Sequence, residues 1–355
     1  MVLHPAVGSG ASYAVTDLGT FNATTSSGYG INAQGKVVGG DYDQNNSTAF
    51  LYDGTMHSIG TLGMQSTAFG INATGKITGV FESAANPLFD HAFRYDGTVH
   101  DLGTLGGPTS YGLAINDAGT VAGDAAIPTP AGSSYLYHAI VYDTSMHDLG
   151  TLGGIESYAF GINASGQVTG AADTSGNASQ HAFFYDGQMH DIGTLGGTSA
   201  AGISINASGN IAGNSNLLGS PTMHAFRYDG TMHDLSTLGG TNSNALSINA
   251  SGQIVGQSDI TGNAVQHAFI YDTTHGMIDL NTLISPSAGW TLVLARAIND
   301  SGQITGYGTI QGATHGFLLT PIPEPNSIAL AALGLIGLAA IASRGRRPLR
   351  YRRER

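Results

Sequence analysis

Histidine is the residue type whose spacing first suggests chemistry in this chain. His91, His138, His181, His224, His267 and His315 each open an apolar segment such as "HAFRY", and His57, His100, His147, His190 and His233 recur in segments such as "TVHDL". Imidazole is the commonest metal ligand and a general acid–base near neutral pH. A metal, however, needs three or four convergent donors. Pairing outward from Asp96-Gly97 as a two-residue hairpin turn sets Tyr95 opposite Thr98, Phe93 opposite His100 and His91 opposite Leu102. Both histidines then share the aromatic face, with no fixed carboxylate beside them. A hydrogen-bonded spacer between stacked units is the stronger reading, and no metal is expected.

The carboxylates are the next candidates. Before the tail the only glutamates are Glu82 and Glu156, and Asp90, Asp124, Asp173 and Asp259 read as loop aspartates. A glycosidase needs two carboxylates at a defined separation, which a sequence does not reveal. Gly-x-Ser-x-Gly, phosphate-loop and His-Glu-x-x-His motifs are all absent, so the expectation is a protein that is not an enzyme. Tyr135, Tyr137 and Trp290 could stack on sugar rings. With Glu82 and Asp90 they form the candidate ligand-binding set. "GDYDQNN", with Asp41 and Asp43 near Asn45 and Asn46, is the one stretch that resembles a calcium loop. Elsewhere "YDG" and "INASG" supply a single turn-forming side chain each, so no cofactor is expected. "INASG" also spells a glycosylation sequon at Asn163 and Asn206, in letters that the turn itself demands.

These residues sit in a repeat. "INxxG" occurs seven times, with asparagines at Asn32, Asn72, Asn116, Asn163, Asn206, Asn249 and Asn299, and "DLGTL"-like segments also occur seven times. A period of about 43 residues with two hairpins per copy predicts four short strands, the length of one propeller blade. In the second hairpin Asn163 opens the turn and Gly166 closes it, as a type I turn followed by a left-handed glycine requires. The chain enters the repeats at "YAVTDLG" and leaves them at "HGFLLT", two halves of one outer hairpin. Pairing of the N- and C-terminal strands would close a ring and remove both sheet edges. The expected fold is therefore all-β, a seven-bladed β-propeller over residues 13–320, with a β-solenoid as the alternative. Loops of varied length, the longest after Gly79 and Gly123, would emerge together on one face and form the binding surface.

Composition agrees with many strands and tight turns. Of 355 residues 53 are glycine, only 10% are charged and none is cysteine. Seven of the twelve basic residues crowd into the last twelve positions, leaving the body with 22 acidic residues against five basic ones. Such a body repels nucleic acid and anionic lipid, which makes neutral sugars or divalent cations the more plausible partners. A monomer is expected.

The tail is a separate object. After a linker at residues 321–326, the apolar run 327–343 is long enough for a short membrane helix, and the arginines of 344–355 would stay in the cytoplasm. "PIPEPNSIALAALGLIGLAAIASRGRR" resembles a PEP-CTERM sorting signal, carried by Pro323, Glu324, Pro325, Arg344, Arg346 and Arg347. The resemblance implies recognition and processing by an exosortase-type enzyme in the inner membrane of a Gram-negative bacterium. The mature protein would then lie in the envelope or extracellular matrix. The repeats resemble the HAF family of extracellular repeat proteins, after the His-Ala-Phe at His91, His181, His224 and His267. Residues 1–12 lack the basic start and apolar core of a secretory leader, and "ASYAVTDLG" resembles an N-terminus just after leader cleavage. The function expected is non-enzymatic binding or structure, with exopolysaccharide as the candidate ligand and a carbohydrate-active enzyme as the alternative.

Overall fold

The computed structural model describes residues 12–21, 23–44, 46–60, 65–83, 89–129 and 134–323. Apart from 3-10 turns at Leu280–Leu283 and Pro286–Ala288, the regular elements among them are strands. The strands form seven antiparallel four-stranded units, two of which join through one parallel pair, Gln180↔Ser199. In the second unit the innermost strand is Ser66–Ile71, followed outward by Ile77–Glu82, Asp90–Tyr95 and Val99–Asp101. In the seventh, Trp290–Ile298, Ile304–Ile310 and Ala313–Ile322 are completed by the N-terminal strand Ser12–Gly19, paired from Ser12↔Ile322 to Gly19↔Gly316.

The recurring letters each have a structural task. Phe93 pairs across the sheet with Gly79 and is 1% exposed; a Cβ on Gly79 would stand 2.8 Å from its ring and 2.0 Å from the Thr67 carbonyl. The Phe-over-Gly pair recurs, for instance at Phe183 and Gly170. Ala92 is fully buried, and its amide donates to the Ser110 hydroxyl of the next unit (2.9 Å). Burying six such phenylalanines contributes about 2 kcal/mol each, so the unit-to-unit interfaces hold most of the core.

The repeat asparagines do more than make turns, which is all the sequence suggested for them. Asn163 Oδ1 accepts from the Ser165 and Gln167 amides (both 3.0 Å), and Gly166 closes the turn at φ 78°. The Asn163 side-chain amide donates to the Asn206 carbonyl of the following unit (3.0 Å). Every repeat asparagine does the same, and the last, Asn299, donates to the Asn32 carbonyl at 2.9 Å. The cycle of bonds thus returns to the first unit, whereas a solenoid would leave two free ends. Asn163 and Asn206 are 4% and 5% exposed, too buried to serve as glycan acceptors.

The outer hairpin departs from expectation by one residue. Tyr95 pairs with Val99, Arg94 with His100 and Phe93 with Asp101, around a turn of Asp96, Gly97 and Thr98. A one-residue slip moves every side chain of a strand to the other face. His91 and His100 therefore lie on opposite faces, and the carboxylate judged absent from the His91 face is Asp101. His91 Nδ1 lies 3.0 Å from that carboxylate, which can only accept, so Nδ1 carries the proton. All twelve described histidines have such an aspartate partner, including His315 with Asp17 across the chain ends. In the first unit Thr48 and Ser58 replace this histidine and aspartate together. The hydrogen bonds from His100, His190 and His233 hold Asp96, Asp186 and Asp229 below the usual carboxylate range. The histidines are therefore structural pairs, each consuming its own carboxylate.

Candidate functional site

Two features stand out from the repeat, one at the axis of the ring and one running outward from it. The first is the central cavity, about 330 Å³, lined by the innermost strands of all seven units. Each innermost strand carries a register shift at the residue three positions before its repeat asparagine. A bulge of this kind re-aims a side chain, and here it points seven of them at the axis. Six are apolar or aromatic: Tyr29, Phe69, Leu113, Phe160, Ile203 and Leu246. The seventh is Arg296. Its guanidinium lies 4.1 Å from the Tyr29 ring centroid, and the Tyr42 hydroxyl donates to that of Tyr29 (3.0 Å).

The second feature is a row of rings leading outward from this cavity. Phe160 and Tyr158 stack at 6.5 Å, Tyr158 and Tyr137 at 6.1 Å, and Tyr137 and Tyr111 approach at 6.4 Å. All four rings are half-buried. Tyr158 donates to Glu156 Oε2 (3.1 Å), Tyr111 donates to Asp90 Oδ2 (3.3 Å), and Thr109 meets the Tyr137 hydroxyl at 3.0 Å. Burial, then the charge of Asp90, pushes the Tyr111 hydroxyl up to about 12. Burial and Glu156 likewise raise Tyr158.

Asp124 lies beneath the row, directly across the strands from Tyr111 and from Ala139. It is 6% exposed, and burial pushes its carboxyl up to about 7. The unfolded carboxyl titrates near 3.9, so between about pH 4 and 7 the native state holds a proton that the unfolded state has lost. Folding is therefore penalised progressively as pH rises through that window, and uniformly above it. Asp124→Asn is neutral at every pH. It is expected to stabilise the protein by on the order of 4 kcal/mol at pH 8 and to change nothing below pH 4, as guanidinium denaturation at both values would show.

The residues singled out from sequence are only partly brought together. Glu82 and Asp90 face each other across paired strands and line a second cavity of about 490 Å³ beside Thr67 and Gln65, with Glu82 Oε2 buried and unpartnered among the described residues. Asp90 is tied to the tyrosine row through Tyr111, and Tyr137 is part of that row. Tyr135 stands at the strand start, 50% exposed, opposite Pro128. Trp290 lies in the seventh unit, edge-on to Phe317 at 6.2 Å and packed on the core there, and is not brought together with Glu82, Asp90 and Tyr137. Asp124, Asp173 and Asp259 belong to strands rather than loops, because the second strands run past the glycine taken as their end, to Pro128, Thr174 and Ile260. Among the described residues no three His, Asp or Glu side chains converge as metal ligands. Asp41 holds the Phe21 amide and Asp43 the Asn46 amide. Sequence reasoning missed Tyr29, Tyr111, Tyr158 and Arg296. The only trace of Arg296 in the sequence is the column three before each repeat asparagine, where one arginine stands among apolar residues with nothing local to show that the column faces the axis.

Known structures support the architecture. The chain superposes on the β-propeller domain of the trilobed protease from Pyrococcus furiosus with a TM-score of 0.52 at 13% identity, over 73% of this chain and 81% of that one. The fold is that of a β-propeller. The Pyrococcus domain is described as having an open velcro topology, whereas here the terminal strands pair. Two acylaminoacyl peptidase structures align more weakly, one with a chloromethyl ketone bound (TM-score 0.46, 9% identity, 79% of this chain) and one from Pyrococcus horikoshii (0.48, 10%, 78%); each alignment covers 49% of the peptidase chain. No curated protein matches the chain in sequence. Residues 321–347 match the PEP-CTERM protein-sorting motif, which spans all six sorting residues from Pro323 to Arg347. Such a motif is recognised by an exosortase and marks a propeller that is exported and sorted to the cell envelope. No helix of the described residues is long and apolar enough to cross a membrane, and the run 327–343 lies outside them.

Proposed function

We propose that this chain is a seven-bladed, HAF-type propeller of the bacterial envelope or matrix that binds a neutral glycan, such as exopolysaccharide, without turning it over. The observation that carries this reading is the half-buried row Tyr111, Tyr137 and Tyr158. It offers successive ring faces across two units, with Asp90, Glu156 and Thr109 anchoring its hydroxyls. Aromatic faces take up apolar sugar C–H surfaces, while fixed polar atoms orient the sugar hydroxyls. An acidic body favours an uncharged polymer.

One observation favours a second reading. Asp124 is a carboxyl that burial holds up to about 7, and both it and Glu156 act on Tyr158; a carboxylic acid with a raised pKa, working with a second carboxyl group, is how glycosidases divide their roles. Asp124 is, however, covered by the row, so a bound sugar on the tyrosines would not touch it.

The test is a glycan array with the full-length protein, combined with an assay for released reducing ends. Binding without release is expected, and Tyr137→Ala, compared at a temperature where both proteins are folded, should weaken it about tenfold, the loss of roughly 1.4 kcal/mol of ring contact. Equal binding by the variant would remove the row as the site. Released sugar that disappears in Asp124→Asn would replace the binding reading with the enzymatic one.

A further inference from the structure

We infer that the central cavity is a binding site for the single carboxylate of a sugar acid, with Arg296 as its anchor. The cavity is lined by twenty residues, and Arg296 is the only charged one. No described carboxylate forms an ion pair with it, and its Nε is buried without a partner. The other two arginines of the described body share the unpartnered Nε, but their guanidinium ends are engaged. Arg227 pairs with Asp229 at 2.7 Å, and Arg94 reaches the Asp143 carbonyl and the Tyr142 ring. Arg296 instead rests on Tyr29, which fixes its plane and leaves the donor edge free for a planar acceptor.

The occupant follows from the surroundings. A guanidinium matches a carboxylate in two parallel hydrogen bonds. Phe69, Leu113, Phe160, Ile203 and Leu246 give the cavity an apolar lining for the body of the ligand, and 330 Å³ holds a monosaccharide or one chain end rather than a polymer. The body carries 22 acidic residues, so a polyanion is repelled while a single charge meets the lone arginine. This site uses different residues from the outer part of the tyrosine row, so either assignment can fail without the other.

The probe is glucuronate, titrated calorimetrically into the full-length protein in a non-glycosidic detergent, with glucose, sulfate and N-acetylglycine in parallel. Glucuronate should bind at least tenfold more tightly than glucose, sulfate and N-acetylglycine. Arg296→Leu should weaken it at least tenfold, and Arg296→Lys should retain part of the affinity. Leucine already occupies this position in two other units, as Leu113 and Leu246, so the variant has a precedent for folding. Ile203→Phe, with precedents in Phe69 and Phe160, narrows the same cavity and should also weaken binding. Absence of glucuronate binding, equal binding by Arg296→Leu, or preference for N-acetylglycine or sulfate would each overturn the assignment. Loss of neutral-glycan binding in Tyr137→Ala would leave glucuronate affinity unchanged.

Discussion

Asn163→Asp is expected to cost about 3 kcal/mol of stability at pH 7. The substitution keeps the oxygen that accepts from the Ser165 and Gln167 amides, so the turn survives. It removes the donor to the Asn206 carbonyl and sets a carboxylate against that oxygen instead, at a site 4% exposed. Part of the loss is the unmet Asn206 carbonyl, and the rest is the desolvated charge. Thermal and guanidinium unfolding should both register it, whereas Ser165→Ala, on the same turn but exposed, should change little. A loss below about 1 kcal/mol for Asn163→Asp would mean that packing alone holds neighbouring units together, because one hydrogen bond typically contributes about that much.

Removing residues 1–19 is expected to have the larger consequence. The N-terminal strand supplies the outermost strand of the seventh unit, and His315 loses Asp17 with it. Tyr13 (6% exposed) and Leu18 (5%) leave the core, and Ala313–Ile322 becomes an open edge. Losing two buried apolar side chains and a strand's pairing should lower stability by on the order of 4 kcal/mol, or roughly 10 °C in melting temperature. An unpaired edge also recruits other chains, so gel filtration should show dimers or larger species. A peptide of residues 12–19 added back should restore both properties. A truncated protein that melts like the parent and remains monomeric would show that the terminal pairing does not secure the ring.

How much of this could be read from the sequence depends on the range of the interaction. The four-strand repeat was legible because its turns are local: Gly166 must be left-handed wherever Asn163 opens the turn, whatever lies around it. The matching of "YAVTDLG" to "HGFLLT" was legible because a split hairpin carries both halves of a recurring pattern. The faces of the outer hairpin were not. Asp96 and Gly97 are compatible with a two-residue turn, and only the pairing of Phe93 with Gly79 and Asp101 selects the longer one. That single step separated His91 from His100 and gave each an aspartate. The candidate ligand set fared similarly: Glu82, Asp90 and Tyr137 lie in adjacent units, while Trp290 packs on the core of the seventh.

By itself the sequence determined the all-β repeat, the strand order within each unit and the sorting motif of residues 321–347, since each rests on neighbours along the chain. The tertiary structure decided what faces the axis. A bulge turns Arg296 toward Tyr29, and closure of the ring brings Asn299 to Asn32. Those partners are separated by more than 260 residues, and no local pattern encodes which way a bulged side chain points until all seven innermost strands stand around one cavity.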